Sequence, residues 1–535
     1  MKKIVIYDTT LRDGAQAQGV SFTVEDKLKI AKALDRLGIS YIEAGNPGSN
    51  PKDLEFFERV KKMNFKNAKI IAFGSTRRVN INVKDDENVK SLLKAGTDAV
   101  AIFGKSWDFQ VTEILKTTLE ENLNMIYDTI KYFKDLGKEV VYDAEHFFDG
   151  YRANPEYTMK TLEYAAKAGA DSICLCDTKG GSLPLEIYNI TKMVVEKFPI
   201  PIGIHCHNDN GMGVAGSIIG VEAGATQVQG TINGYGERCG NANLCTIIPT
   251  LQLQMGYNCI PEENMKTLTP FARYISEIAN IIHDERAPFV GNAAFAHKAG
   301  MHADAVNKNT FAYELIDPEA VGNKRIFLMS EVAGRSAVLH TLNEVDPDIK
   351  KDSPETKAVI EKLKEMEFKG YQYEGAEGSF KLLARKILGK YIPSFELKEF
   401  KVIVNMPSVG KYSSSAMIKI KVGDQEEITA AEGEGPVNAL DYAVRKALGK
   451  FYPQIQNMKL TDYKVRVLDS EAATAAKVRV LIESTNGKEV WSTIGVSTDI
   501  INASWIALVD SIEYMLSAER KNGANGMNGA NGMFE

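Results

Sequence analysis

Short apolar runs recur at regular intervals through the first half of the chain, separated by longer segments of mixed polarity. Eight of them are distinct: Ile4–Asp8, Tyr41–Gly45, Lys69–Gly74, Ala99–Gly104, Glu139–Glu145, Ser172–Asp177, Ile202–His207 and Gln227–Asn233. A short and nearly continuous apolar run is typical of a strand that is buried on both faces, as in a parallel sheet. The pattern therefore predicts a series of parallel strands.

The segments between these runs have apolar residues at helical spacing. The first segment follows a capping signal at Thr23-Val24-Glu25-Asp26 and ends at Gly38. Further helices are predicted from Pro51 onwards and over residues 86–96, 113–136, 156–168, 184–197, 212–223 and 243–255. Eight strand–helix alternations in about 255 residues match the size of a (β/α)8 TIM barrel, with an open doubly wound sheet as the alternative.

The pattern changes after residue 261, where the predicted catalytic barrel (1–261) ends. Residues 262–391 predict small helical subdomains, linked by loops that contain glycine and proline. Residues 396–520 predict an α+β domain of two successive units, each made of three strands and a helix, and the second helix ends near residue 518. Such a doubled unit suggests a regulatory or dimerisation domain. The tail 521–535 is rich in Asn and Gly and is predicted to be disordered, because it has too few apolar residues to bury.

Composition and charge exclude several classes of protein. The net charge is −6 and no basic stretch is present, so that neither nucleic acid nor a membrane surface is an expected partner. No apolar run is long enough to cross a membrane, and we expect no secretory signal because the first residues lead straight into a predicted strand. Six cysteines in 535 residues do not make a disulfide framework. We therefore expect a cytoplasmic enzyme or binding protein.

Polar residues follow the first predicted strand at its carboxyl end, where parallel α/β folds have their active sites. There, Arg12 puts a fixed positive charge beside the carboxylate of Asp13. On the seventh strand, His205 and His207 point to one side because strand residues alternate, and Cys206 points to the other. Only strand eight separates strands one and seven in a barrel, so these histidines can meet Asp13. Such a set predicts a divalent metal site with open positions for a substrate, and a structural pair of histidines is the alternative.

Three further residues end strands or follow them. The glycine-rich loop Gly234–Asn243 comes after the eighth strand and offers Asn241 as another oxygen ligand, although a plain tight loop would have the same composition. Glu145 and Thr178 close the fifth and sixth strands. Each of these two could face a substrate or only cap the helix that follows.

Several segments of the chain are similar to a known family. Asp8–Gly14, the His205-x-His207 pair and Asn233–Asn243 resemble the DRE-TIM metallolyase superfamily, in the branch of α-isopropylmalate, homocitrate and citramalate synthases. Gly48–Asp53 and Gly370–Phe380 are similar to segments of the long type of (R)-citramalate synthase. The resemblance covers nearly the whole chain, including the C-terminal domain that these synthases use for feedback regulation.

The resemblance implies a Claisen-type condensation of acetyl-CoA with pyruvate, giving citramalate and CoA in isoleucine biosynthesis. It implies that a metal ion on the predicted ligands holds the 2-oxo acid; the ligand set itself accepts Mn²⁺, Mg²⁺ or Zn²⁺ and leaves the choice among them open. Arg12 would then stabilise negative charge on the keto oxygen, and Thr178 would bind the substrate carboxylate. Glu145 would orient the acetyl group or assist proton transfer.

The resemblance also matches His302 to the catalytic histidine of the family and Tyr313 to a functional tyrosine, whereas His297 is expected to be structural. The related synthases donate this segment to the neighbouring subunit, which implies a homodimer. We expect the C-terminal domain to bind isoleucine, with leucine as the second choice. The alternatives are a 2-isopropylmalate or homocitrate synthase that uses another 2-oxo acid, a lyase of the superfamily, and a non-catalytic sensor.

Overall fold

The computed structural model describes residues 2–298, 300–327, 335–350, 352–405, 413–468, 476–487 and 489–528. The chain divides into two compact units: Met1–Phe295 with Leu315–Arg325, and Ala296–Glu314 with Ile326–Glu535. This division differs from the predicted domain boundaries, because the segment 262–391 is shared between the two units instead of forming a separate linker.

The first unit contains a closed barrel of eight parallel strands, which confirms the predicted fold class. The strands are β1 (Val5–Asp8), β2 (Tyr41–Gly45), β3 (Lys69–Ser75), β4 (Ala99–Lys105), β5 (Glu139–Glu145), β6 (Ser172–Asp177), β7 (Ile202–Cys206) and β8 (Gln227–Gly230). Each strand pairs with the next, and β8 pairs with β1, where Gly230 lies opposite Asp8. This closure excludes the open doubly wound sheet.

Helices connect the strands around the outside of the barrel. They are α1 (Val24–Leu37), α2 (Pro51–Val60), α3 (Glu87–Ala95), α4 (Leu119–Asp135), α5 (Phe147–Ala153), α6 (Pro155–Ala168), α7 (Pro184–Lys197), α8 (Gly213–Glu222), α9 (Leu244–Pro249), α10 (Glu262–Met265) and α11 (Leu268–Ala279). The predicted capping box of α1 is present: Thr23 and Asp26 each accept a hydrogen bond from the other's backbone N–H. The short helix α5 was not predicted.

The apolar residues of the barrel unit form two groups. Side chains that point outward from the strands, such as Ile102 and Leu175, pack with the helices in one large core. A smaller group fills the inside of the barrel: Tyr7, Ile71, Ala99, Ala101 and Val141. Leu268 and Ile275 of α11 join the large core, which is why the segment just after residue 261 belongs to the barrel unit.

The second unit combines helices with two antiparallel sheets of three strands. The sheets are β11 (Glu396–Asn405), β12 (Ser413–Val422) and β13 (Gln425–Gly433), and β14 (Lys459–Val467), β15 (Val478–Thr485) and β16 (Val490–Ser497). A short parallel pair is formed by β9 (Ala296–His297) and β10 (Ile326–Phe327). The helices are α12 (Gly300–Lys308), α13 (Arg335–Val345), α14 (Pro354–Phe368), α15 (Glu377–Ile387), α16 (Pro436–Leu448) and α17 (Ile500–Asn528).

The two predicted units of three strands and one helix are present in the second unit, and they share a core. Ile418 and Ile482 from the two sheets pack in one cluster with Leu440 and Leu508 from α16 and α17. A second cluster joins the helices α13–α15 to Ile494 of β16. Because of this cluster, the predicted boundary between the linker and the regulatory domain is not a boundary between compact units.

The last helix is longer than predicted. α17 continues to Asn528, into the segment that was predicted to be disordered from residue 521. Extending an existing helix avoids the cost of nucleation, although Gly and Asn have poor helix propensity. Residues 529–535 lie outside the described residues. Among the described residues, no helix combines the length and apolar character that are needed to cross a membrane.

Candidate metal and active site

A pocket of about 240 Å³ opens at the carboxyl ends of the barrel strands. It is lined by Arg12, Asp13, Gln16, Phe73, Phe103, Asp143, Glu145, Cys176, Thr178, His205, His207, Glu237 and Arg238. Of the seven barrel residues predicted for the site, six line this pocket, and the seventh, Asn241, contacts Asp13 at its edge.

Asp13, His205 and His207 meet at one point of the pocket. The Nε2 atoms of His205 and His207 lie 3.4 and 3.7 Å from the Asp13 Oδ2 atom, and all three residues are buried. Cys206 points to the outer layer, where a Cβ on Gly216 would lie 3.2 Å from its sulfur. The alternation predicted for β7 is thus confirmed, and the three side chains have the spacing of a metal site.

The charges in this group favour the metal-binding forms of Asp13 and His207, but not that of His205. Burial alone would raise the pKa of Asp13, but Arg12 and the two histidines outweigh it and hold that pKa far below its usual range. Burial and the neighbouring His205 lower the pKa of His207 to about 4, which leaves its imidazole neutral at physiological pH. Burial also disfavours charge on His205, but Asp13 outweighs burial and raises its pKa.

The orientation of His205 is held by a hydrogen-bonded chain that sequence reasoning missed. Its Nδ1 lies 2.9 Å from Gln229 Oε1 on β8, and Gln229 Nε2 donates to Asp143 Oδ1 on β5 at 2.9 Å. A proton on Nδ1 leaves the Nε2 lone pair facing Asp13, which is the usual arrangement of a metal-binding histidine. The signal in the sequence is a polar residue at an inward position of β8.

Asn241 is held next to the three residues by the glycine-rich loop. Its Nδ2 atom donates to Asp13 Oδ2 at 2.8 Å and lies 3.4 Å from His205 Nε2. Its Oδ1 atom is buried and has no hydrogen-bond partner among the described residues. Gly236 allows this placement, since a Cβ at that position would lie 2.1 Å from Oδ1.

Arg12 lies between the metal-site residues and an aromatic side chain. Its Nε donates to Glu43 at 2.5 Å, its NH1 lies 3.5 Å from Asp13, and its guanidinium carbon lies 3.8 Å from the centre of the Phe73 ring. Glu43 is fully buried on β2 and also accepts a hydrogen bond from the Tyr7 hydroxyl at 2.7 Å. Arg12 is therefore fixed on several sides, with its charge directed into the pocket.

Thr178 does not cap a helix, because α7 begins after Leu183. Its hydroxyl oxygen accepts a hydrogen bond of 2.8 Å from the backbone N–H of His146, which leaves the hydroxyl proton available to a ligand. Arg238 donates to the Thr178 carbonyl and forms a two-fold pair with Asp209, so it links the loops after β6, β7 and β8.

Glu145 lines the pocket but is paired. Its Oε2 atom accepts a hydrogen bond of 2.6 Å from the Lys105 ammonium group. It does not cap α5, whose first turn follows His146 without a side-chain cap. The ion pair holds the carboxylate at the pocket wall.

His302 and Tyr313 belong to the second unit, where their rings stack at 4.3 Å with an angle of 30°. Both side chains are exposed, and half of Tyr313 is accessible. His297 is part-buried and lies 3.0 Å from Glu314, next to the segment that carries the two rings. This contact agrees with the structural role expected for His297.

Three family models match the chain. The HMGL-like model matches residues 3–275, the homocitrate synthase post-HMGL domain-like model matches 289–370, and the LeuA allosteric (dimerisation) domain model matches 374–516. The last match indicates a domain that takes part in dimerisation and effector binding.

Curated relatives match over almost the full length. A protein of Aquifex aeolicus named (R)-citramalate synthase is 54% identical over 98% of this chain and 99% of its own. Proteins of the same name from Geobacter sulfurreducens and Synechocystis are each 50% identical, over 96% of this chain and over 98% and 96% of their own. The chain belongs to the HMGL-like family, in the branch that contains these synthases.

Proposed function

We propose that the chain is an (R)-citramalate synthase, which condenses acetyl-CoA with pyruvate and hydrolyses the thioester with water, giving citramalate and CoA. The observation that carries this proposal is the convergence of Asp13, His205 and His207 beside Arg12, in a chain that matches proteins of that name over nearly its whole length. The free thiols of its six cysteines fit a reducing compartment such as the cytoplasm.

The residues at the site fit a divalent metal ion. One carboxylate and two imidazoles form a donor set that Mn²⁺, Mg²⁺ or Zn²⁺ can use. The buried Oδ1 atom of Asn241 has no hydrogen-bond partner among the described residues, and a turn of the amide would bring an oxygen next to Asp13. Asp13, His205, His207 and Asn241 would hold the ion, which supplies a Lewis acid for the oxygens of the 2-oxo acid.

Arg12 and Thr178 complete the binding of the acceptor. Arg12 keeps its positive charge because Glu43 and Asp13 lie beside it, and this charge would stabilise the negative charge that develops on the keto oxygen. The free hydroxyl proton of Thr178 can donate to the substrate carboxylate.

The wall of the pocket favours a small acceptor. Phe73 and Phe103 stack at 5.0 Å and line the pocket beside Arg12. In the proposed reaction these rings would form the wall against which the side chain of the 2-oxo acid packs, and they would disfavour a side chain larger than the methyl group of pyruvate. This wall supports citramalate synthesis over 2-isopropylmalate synthesis.

The reaction needs a base that removes a methyl proton from acetyl-CoA. Glu145 lies in the pocket and, together with Lys105, can orient the acetyl group or take part in this proton transfer. We assign the remaining catalytic roles to His302 and Tyr313 of a second subunit in a homodimer. Their exposed, stacked rings support this assignment, as does the match to a dimerisation domain.

The second unit would bind isoleucine as the feedback effector, with leucine as the second choice.

Acceptor profiling tests the proposed activity. Purified enzyme receives acetyl-CoA, a divalent metal and one 2-oxo acid at a time, and CoA release is measured. We expect pyruvate to give the highest kcat/KM, and Asp13→Ala to abolish release. Cys206→Ser is the control, since Cys206 lies on β7 between His205 and His207 but faces outward. Faster turnover of 2-oxoisovalerate or 2-oxoglutarate would contradict the proposed acceptor. If no 2-oxo acid gives metal-dependent CoA release, the chain is a binding protein and not a synthase.

Subunit mixing tests the assignment in trans. His302→Ala and Asp13→Ala subunits are each expected to be inactive, whereas a mixed dimer is expected to have one complete site of two and so up to about half of the parent activity. If mixed dimers regain no activity, the assignment in trans is wrong.

A second experiment measures activity in saturating isoleucine. Unchanged activity would show that isoleucine is not the feedback effector.

A further inference from the structure

Two thiols and a carboxylate meet inside the barrel, beside the site described above. Cys174 and Cys176 are alternate residues of β6 and point inward together, and Asp143 lies on β5 opposite Cys174. Their ligand atoms all lie within 4.8 Å of one another, and all three residues are buried. The proposed function gives the two cysteines no role, and it uses Asp143 only as the acceptor for Gln229.

A fourth polar group faces the same space. Gln227, on an inward position of β8, is 5% exposed, and its Oε1 atom has no hydrogen-bond partner among the described residues. Gly203 of β7 lets these groups come close to the backbone: a Cβ at this position would lie 2.7 Å from Gln227 Oε1 and 3.4 Å from Cys174 Sγ. The unpaired oxygen and the Cys174 sulfur are therefore neighbours across Gly203.

The group can be reached from solvent. Asp143 and Cys176 line the pocket, whereas Cys174 lies fully buried behind them. An ion that enters the pocket would thus meet a carboxylate and one thiol before it reaches the second.

We propose that Asp143, Cys174 and Cys176 form a second metal site, which takes a soft divalent ion such as Zn²⁺ or Cd²⁺. The Gln227 oxygen is available as a fourth ligand. Two thiolates select soft ions, whereas the oxygen and imidazole donors around Asp13 also accept hard ions. Binding releases the two thiol protons to solvent, because the sulfur ligands bind as thiolates.

The second site is coupled to the first by a shared carboxylate. Asp143 accepts the hydrogen bond from Gln229, and the other end of Gln229 holds His205. An ion that takes the Asp143 carboxylate competes with this hydrogen bond and loosens His205. A soft ion should therefore inhibit turnover, and this part of the proposal rests on the proposed function.

Titration of the full-length protein with Cd²⁺ in excess Mg²⁺ tests the binding. Ultraviolet absorption of cadmium thiolates reports only ions bound to sulfur, and Cys239→Ser in every variant removes the exposed thiol. We expect a band that saturates near one ion per chain and survives Asp13→Asn and the control Cys206→Ser. In Cys174→Ser or Cys176→Ser, the affinity should fall by at least about 100-fold, since lost outer partners alone cost 10–100-fold.

The absence of this band in the parent protein, or its persistence in both serine variants, would overturn the proposal. If a serine variant does not fold, the ¹¹³Cd chemical shift of the parent protein decides. A shift typical of two sulfur ligands supports the site, whereas a shift that indicates nitrogen and oxygen ligands without sulfur refutes it. Cd²⁺ should inhibit CoA release less in Cys176→Ser than in the parent. A protein that binds Cd²⁺ in this way but shows no synthase activity would refute only the proposed function.

Discussion

The fit between Gly236 and Asn241 allows a sharp test of the fourth metal ligand. In Gly236→Ala, the new Cβ would lie 2.1 Å from Asn241 Oδ1 and 3.0 Å from its Cγ atom. Ordinary contact begins at 3.4 Å, so the amide must retreat by about 1.3 Å. The backbone of Gly236 does not have a positive φ, and alanine therefore adds a steric contact without backbone strain.

A displacement of about 1 Å at a reacting centre can cost 10²-fold in rate, and altered metal surroundings cost 10–100-fold in affinity. We expect Gly236→Ala to lower metal affinity by about 10–100-fold, as measured by calorimetric titration of the metal-free enzyme. Turnover at saturating metal should fall by up to about 100-fold. Circular dichroism would confirm that the fold is retained.

Gly181→Ala is the matched control, because a Cβ there would meet no atom within 4 Å. It should bind metal like the parent protein. If Gly236→Ala also keeps the parent's metal affinity and turnover, Asn241 is not a ligand, and its contact with Asp13 only supports the loop.

Four further predictions follow from the site. Arg12→Lys keeps the positive charge but loses the planar fork of the guanidinium group, so turnover should fall by about 10²–10³-fold. The metal affinity measured by calorimetry should be unchanged. An equal loss of turnover and metal affinity would show that Arg12 has another role. Phe103→Ala should change the ratio of kcat/KM for 2-oxoisovalerate to kcat/KM for pyruvate by about 10–200-fold in favour of 2-oxoisovalerate. Phe109→Ala is the control, because Phe109 lies outside the pocket. An unchanged ratio in Phe103→Ala would show that this ring does not select the acceptor. Gln229→Leu should weaken metal binding by about 10–100-fold, and unaltered binding would mean that the Nδ1 hydrogen bond does not orient His205. Metal affinity should fall about tenfold per pH unit below the raised pKa of His205, because one proton then competes with the metal for Nε2. A second proton should compete only near the His207 pKa of about 4. Competition by two protons at pH 6 would contradict the assignment of His207.

Much of the barrel could be predicted from the sequence because each strand is a compact apolar signal. The bounds of β2, β5 and β6 agree with the predicted runs at both ends. The pair of histidines could be assigned to one face of β7 by alternation alone, and barrel closure then brought Asp13 to them. These inferences need only local periodicity and one topological rule.

The remaining features depend on contacts between distant residues, which periodicity does not contain. The partner of His205 is Gln229 and that of Arg12 is Glu43, and neither pairing has a local sequence signal. Thr178 could equally have capped a helix, until the N–H of His146 was seen to occupy its oxygen. The division into two units depends on which core the helices after residue 261 join, and composition does not decide this.

The proposed ligands come from the two ends of the barrel sequence, and this has a consequence for folding. Asp13 follows the first strand, whereas His207 and Asn241 follow the last two, so the ligands separate whenever β8 leaves β1. A bound ion would therefore stabilise the pairing of β8 with β1, which closes the barrel. Added metal should raise the free energy of unfolding by about 2.7 kcal/mol at 100 times its dissociation constant. A chain still emerging from the ribosome could not gain this stabilisation until its eighth strand had appeared.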